Sequence, residues 1–142
     1  MSKFYITTPL YYVNDEPHIG HAYTTILADV LSRYHRIQGD DVFFLTGTDE
    51  HGQKVQEAAE KRNVKPFDHV NEYVKRFKDV WKKLNIDYDD FIRTTEKRHT
   101  DRVKEVLNHL KDKGDIYIAE YEGLYSVSEE RFITEKEAEE GD

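Results

Sequence analysis

The chain has 142 residues, 35% of them charged, with a formal net charge of −8 and no cysteine. That length holds a single domain core, and the missing cysteines exclude a disulfide framework and a thiolate zinc site. No apolar run approaches the roughly 20 residues of a membrane span, and the first ten residues lack a signal-peptide apolar region, which leaves the cytoplasm as the default compartment. The acidic balance runs against a general nucleic-acid surface, which needs clustered Lys and Arg. Most of the acidity is terminal: residues 129–142 hold seven acids against Arg131 and Lys136, as expected of a solvated or frayed end.

Residues 3–8, KFYITT, are short, aromatic and β-branched and stop at Pro9, which predicts a strand. From about residue 18 to 38, Tyr23, Ile26, Leu27, Val30, Leu31, Tyr34 and Ile37 keep helical spacing. Pro17 suits the entry of that helix and Gly39 its exit. Residues 41–47, DVFFLTG, read as a buried parallel strand. Strand, helix and strand in this order make a βαβ unit whose crossover packs the helix on the sheet. Beyond Gly52 the segment to Asn63 reads as a short helix, and Phe67, Val70, Val74, Phe77, Trp81 and Leu84 as the core-facing stripe of a longer one. Residues 91–95 predict a third strand. Val103, Val106, Leu107 and Leu110 mark another amphipathic helix, closed by Lys113-Gly114. Residues 116–118 and 124–127 flank Gly123 and predict a β-ribbon. No internal repeat or low-complexity linker is present, and the ribbon and acidic end are not a natural finish to an α/β sheet.

The chemistry concentrates in YYVNDEPHIGHAYT, residues 11–24. His18, His21, Asp49 and His51 offer metal donors, but the two histidines are three apart around Ile19-Gly20. Helical zinc hydrolases place theirs four apart with a glutamate between. A helix that begins just after a strand instead offers unpaired N–H groups and a positive dipole end at the sheet's C-terminal edge, where ligands of open α/β sheets bind. Imidazoles on its first turn can donate to phosphate oxygens as charge builds in a phosphoryl or nucleotidyl transfer. Gly20, without a Cβ, lets a base or ribose approach the backbone. The bland alternative is a pair of polar residues capping a helix. The polar end of the second strand, TGTDEHG, lies on the same edge. It presents Asp49 as partner for a ligand ammonium, with Gly47 and Gly52 keeping the approach open; an ordinary N-cap is the alternative for Asp49.

These residues carry a family resemblance. ITTPLYYVNDEPHIGHAYTTILADVLSRYHRIQGDDVFFLTGTDEHGQKV resembles the N-terminal part of bacterial-type methionyl-tRNA synthetases, with the H-I-G-H signature of class I aminoacyl-tRNA synthetases unaltered as His18-Ile19-Gly20-His21. The likeness continues through DYDDFIRTTEKRH and GDIYIAEYEGLYSVSEE and covers essentially the whole chain. It implies an α/β fold: the first half of a Rossmann-like nucleotide-binding fold over residues 1–115, with a parallel sheet and flanking helices. Residues 116–142 would be the start of a β-rich connective-peptide insertion, whose acidic end is a candidate for disorder. It implies activation of methionine by ATP with release of pyrophosphate, then transfer of the methionyl group to tRNA(Met). His18 and His21 would stabilise the ATP phosphates and Gly20 would lie beneath the adenosine. Leu10 and Tyr12 would line the methionine pocket, Asp49 would hold the amino group, and Pro9, Tyr11 and Asn14 would shape the loop. Mg²⁺ would arrive with ATP, held largely by phosphates and water.

The departures set expectations too. The lysine-rich K-M-S-K-S loop of the family is absent, as is the half of the fold that carries it. Leu124 stands where tryptophan is more usual, and without cysteine there is no support for zinc in the insertion. The expectation is an N-terminal fragment of a longer enzyme, inactive alone. Two other classes remain open at this stage: a small H-x-G-H nucleotidylyltransferase, and a noncatalytic binding module that keeps the fold.

Overall fold

A computed structural model of the chain describes residues 2–126 and 129–140. Its elements are β1 (Lys3–Thr7), β2 (Tyr11–Tyr12), α1 (Ile19–Ile37), β3 (Asp41–Asp49), α2 (Gln53–Lys61), α3 (Pro66–Lys83), β4 (Asp90–Arg93), α4 (Lys97–Lys113), β5 (Leu124–Ser126), β6 (Arg131–Ile133) and α5 (Glu135–Glu140). The chain divides into two compact units after Lys104. Among the described residues no helix is long and apolar enough to cross a membrane.

In the first unit β3 is the centre of a parallel sheet. β1 pairs with its first half, from Lys3 opposite Asp41 to Thr7 opposite Leu45. β4 pairs on the other side, from Leu45 opposite Asp90 to Thr48 opposite Arg93. The third strand is therefore one residue earlier at its start and two shorter at its end than the sequence pattern suggested. Its ladder stops where the Thr94 N–H makes a last bond to the Thr48 carbonyl. β2 has no signal in the hydrophobic pattern; it pairs Tyr11 with Thr48 and Tyr12 with Asp49. Thr8, Pro9 and Leu10 lie opposite only Thr46 and Gly47, so the line of β1 bulges by one residue and resumes as β2. Pro9, with no N–H to give to a ladder, sits in that bulge.

Gly47 has a different task from the one its sequence context suggested. A Cβ there would lie 2.0 Å from the Ile92 carbonyl oxygen and 2.7 Å from Ile92 Cγ2. The missing side chain lets β4 close on β3 rather than opening a ligand approach.

The core lies between sheet and α3. Val70, Val74, Phe77 and Trp81 are buried as the stripe predicts, joined by Tyr11, Val13, Val55, Tyr73 and Phe91. The ends of the stripe are exposed: Phe67, in the first turn of α3, and Leu84, its C-cap. The face of α1 differs more. Its buried residues are Thr25, Ala28, Asp29 and Ser32, at i, i+3, i+4 and i+7. Small side chains bring α1 close, and Asp29 accepts the Asp87 N–H at 2.8 Å and the Arg33 guanidinium at 2.7 Å. The larger apolar residues of the helix, Tyr23, Ile26, Leu27, Val30, Leu31, Tyr34 and Ile37, stand exposed on the opposite face, as do Tyr5 and Phe43 of the sheet.

In the second unit β5 pairs antiparallel with β6, Leu124 opposite Ile133 and Ser126 opposite Arg131. The ribbon partner expected at residues 116–118 is not a strand; Tyr117 and Ile118 are almost fully exposed. Glu130, at φ +55°, turns the chain into β6 instead. Val127, expected in the ribbon, and the final residues Gly141 and Asp142 lie outside the described residues. α5 opens with a capping box. The Thr134 N–H donates to Glu137 Oε2 at 2.8 Å, and the Glu137 N–H donates to Thr134 Oγ1 at 3.3 Å.

Candidate active site

The start of α1 is built by its two histidines. His18 is the N-cap: its Nδ1 accepts the Gly20 N–H at 3.1 Å, and its own N–H donates to Nδ1 of His21 at 3.1 Å. The rings stack, centroids 3.7 Å apart. Both Nδ1 atoms receive backbone N–H groups, so both carry lone pairs, and each neutral imidazole holds its proton on Nε2. Burial, and then the neighbouring His18, push the His21 pKa below its usual 6.5. The helix-cap and phosphate readings of this segment are thus compatible: the capping contacts fix the tautomers that leave two donors at a helix N-terminus. Gly20 is pinned in the same way, since a Cβ there would come within 2.9 Å of His18 Cε1.

The loop before α1 is anchored from below. Tyr11 is buried, and its hydroxyl lies 2.9 Å from Thr25 Oγ1. Its ring meets His21, Phe77 and Trp81 at centroid separations of 4.8, 5.9 and 5.9 Å. Thr8 Oγ1 reaches Thr46 Oγ1 at 2.8 Å. Above this floor Leu10, Tyr12, Asn14, His18 and His21 line one open cleft of about 480 Å³, together with Tyr11, Asp15 and Glu16. Leu10 and Tyr12 are substantially exposed there.

Asp49 and Gly20 do not line that cleft. Asp49 joins it through β2: it is the register partner of Tyr12, a strand spacing of roughly 5 Å away. Its carboxylate is lightly held, with Oδ1 3.4 Å from Thr94 Oγ1 and 3.5 Å from the His51 N–H. His51 lies with Thr94 and His99 on a neighbouring hollow. Among the described residues no group of three or more His, Asp or Glu side chains could hold a metal ion.

Two supports were missed by sequence reasoning. His69 of α3 is fully buried; its Nε2 lies 2.8 Å from the Val13 carbonyl oxygen and its Nδ1 3.1 Å from an Arg62 guanidinium nitrogen. Its spacing from Tyr73, Phe77 and Trp81, in steps of four, is the signal that could have found it. The fully buried Glu50, next in sequence to Asp49, pairs with the half-buried Arg93, and a single charged residue inside a short strand gives no warning of such a pair.

The sequence profile of the family described as tRNA synthetases class I (M) matches residues 4–141. The chain is 56% identical over 133 residues to Methionine–tRNA ligase 1 of Bacillus cereus, covering 94% of this chain and 20% of that protein. It is 53% identical over 139 residues to Methionine–tRNA ligase of Listeria monocytogenes, covering 98% and 21%. The fold superposes with a TM-score of 0.91 and 43% identity on Mycobacterium tuberculosis methionyl-tRNA synthetase in complex with methionyl-adenylate, covering 96% of this chain and 27% of that one. The chain spans about a fifth of the length of the relatives it matches. It belongs to the class I tRNA synthetases of the M group, the family of these methionine–tRNA ligases.

Proposed function

We propose that this chain is the N-terminal half of the nucleotide-binding fold of a methionine–tRNA ligase, and that the whole enzyme activates methionine with ATP and loads tRNA(Met) in the cytoplasm. The observation that carries the reading is the pairing of β2 with the end of β3. It sets the H-I-G-H turn, the Leu10–Tyr12 wall and Asp49 along one sheet edge. The names of the relatives support it, as does the methionyl-adenylate bound by the similar Mycobacterium tuberculosis enzyme.

In this reading Asp49 takes the methionine ammonium, while Leu10 and Tyr12 flank the side chain. The carboxylate attacks the ATP α-phosphate in line, the bond to the β-phosphate breaks, and pyrophosphate leaves. His18 and His21 donate through Nε2 to phosphate oxygens whose charge grows in the transition state, with the N–H groups of α1 behind them. Gly20 sits beneath the adenosine, and Pro9, Tyr11 and Asn14 hold the loop. No side-chain nucleophile is needed; orientation and charge stabilisation supply the acceleration. Mg²⁺ enters as part of the ATP substrate, held largely by phosphates and water.

The outward apolar face of α1 and, on the other face of the sheet, Tyr5 and Phe43 are exposed apolar surfaces of a kind that a free domain rarely leaves open. They fit a chain that continues into further catalytic structure, as the length of the relatives suggests. Pyrophosphate–ATP exchange by the full-length polypeptide tests the reading. Exchange that requires methionine is expected; exchange driven by a nucleotide-cofactor precursor without methionine would overturn it.

A further inference from the structure

Glu50 is a carboxylate with a fully buried side chain, directly after the residue assigned to the substrate ammonium. Four donors converge on it. Thr48 Oγ1 and Arg93 Nε reach Oε1 at 2.9 and 2.6 Å; a terminal Arg93 nitrogen and Thr95 Oγ1 reach Oε2 at 3.0 and 2.5 Å. The same Arg93 nitrogen donates to Asn71 Oδ1 of α3 at 2.7 Å. The Glu50 N–H donates to Thr94 Oγ1 at 2.8 Å. The end of β3, β4 with the turn after it, and helix α3 are thus tied at one ion pair whose carboxylate is fully buried.

A buried pair of this kind is seldom retained for stability, because well-packed apolar residues of the same volume do as well or better. What it supplies is a fixed geometry: a planar fork on a planar carboxylate admits one arrangement. Beside it, among the described residues, the Asp49 carboxylate has two long contacts, both through Oδ1. Such contacts are too weak to orient a side chain. The position of that carboxylate is therefore set by its backbone, and the backbone is held at the next residue by Glu50.

We propose that the Glu50–Arg93 pair, with Asn71 and Thr95, is the positioning device for Asp49, and so sets affinity for the amino acid rather than for the nucleotide. This rests on the reading of Asp49 as the ammonium partner. The pair acts through Asp49 and touches neither substrate.

The test uses the full-length enzyme and pyrophosphate exchange. The apolar replacement Glu50→Leu with Arg93→Met removes both charges together and is expected to melt close to the parent. It should raise KM for methionine about tenfold or more while leaving KM for ATP unchanged, since small misplacements of a positioning group are costly. Arg93→Lys keeps the charge but not the fork, and should give a smaller rise for methionine alone if the double variant does not fold. Added to Asp49→Asn, the double replacement should cause no further loss, because it works through the group already removed. Parallel rises in both KM values, an unchanged methionine KM in a folded variant, or additivity with Asp49→Asn would overturn the proposal. Absence of methionine-dependent exchange in the unsubstituted enzyme would overturn the reading beneath it instead.

Discussion

The His18 backbone N–H is bonded to Nδ1 of His21 across the first turn of α1, and the two rings stack 3.7 Å apart. That bond makes His21 an Nε2 donor without requiring it to be charged. If the donor acts on phosphate charge that develops only in the transition state, its loss falls on rate rather than on binding. His21→Ala in the full-length enzyme should lower the activation rate by about 10²–10³-fold. Methionine affinity should change little. Pre-steady-state adenylate formation, measured alongside equilibrium methionine binding, separates the two; equal losses in both would assign His21 to ground-state binding.

The same bond fails on protonation. His21 is held below its ordinary pKa by burial and by His18, so the unfolded chain takes up this proton at a higher pH than the folded one. Its contribution is whole above the usual histidine value and is lost as pH falls from there to the lowered folded pKa. Acidification also places a proton on the Nδ1 that accepts the His18 N–H, uncapping α1. Melting temperatures of the chain should therefore drop as the pH falls below the usual histidine value of 6.5, and His21→Ala should flatten part of that slope. An identical pH dependence in the variant would exclude this origin.

Gly20→Ala sets two effects of similar size against each other. Alanine favours the helix by about 1 kcal/mol over glycine. Its Cβ, however, would press on His18 Cε1 at 2.9 Å and displace a cap that contributes about 1 kcal/mol. Stability should stay nearly level while adenylate formation falls with the displaced His18 ring. Thermal melting and pyrophosphate exchange on the same variant check both halves.

Phe77 lies under the site, fully buried against His21, Tyr11 and Trp81. Phe77→Ala should cost about 3–5 kcal/mol through lost transfer energy and the cavity left behind. That is a large share of a typical domain's stability of about 5–15 kcal/mol. Urea unfolding would show it as a lower midpoint. A change below about 1 kcal/mol would mean that α3 does not form the floor of the site.

Periodicity and punctuation revealed the first parallel strand, the crossover helix, β3 and the α3 stripe, because each is a local pattern of apolar residues between breakers. They did not reveal β2. Two residues beyond a proline bulge carry no alternation, and only their pairing with Thr48 and Asp49 makes them a strand. Nor did they say which face of α1 is buried. The long apolar residues dominate the pattern, but close approach to the sheet selected Thr25, Ala28 and Ser32. The misplaced ribbon at residues 116–118 has the same root, since apolar residues in an incomplete structure need not find a partner within it.

The candidate site was legible where a residue type is demanded by chemistry. His18, His21, Leu10 and Tyr12 could be named from the motif and the family likeness, and the structure brings these four to one cleft. The support at Glu50, Arg93 and Asn71 was not legible, because these three are made neighbours by tertiary packing alone, whereas the four-residue spacing of His69 from Tyr73, Phe77 and Trp81 is a signal the sequence does carry. Gly47 shows how a plausible local account can miss: its smallness serves Ile92 on the adjacent strand.

In the proposed reading these residues form one half of a methionine-activating site. Methionine-dependent pyrophosphate–ATP exchange, run in parallel on the 142-residue chain and on the full-length polypeptide, tests it most directly. Exchange is expected from the full-length protein and negligible exchange from the chain alone, which lacks the lysine-rich loop. Robust exchange by the isolated chain, or none with methionine in the full-length protein, would contradict it.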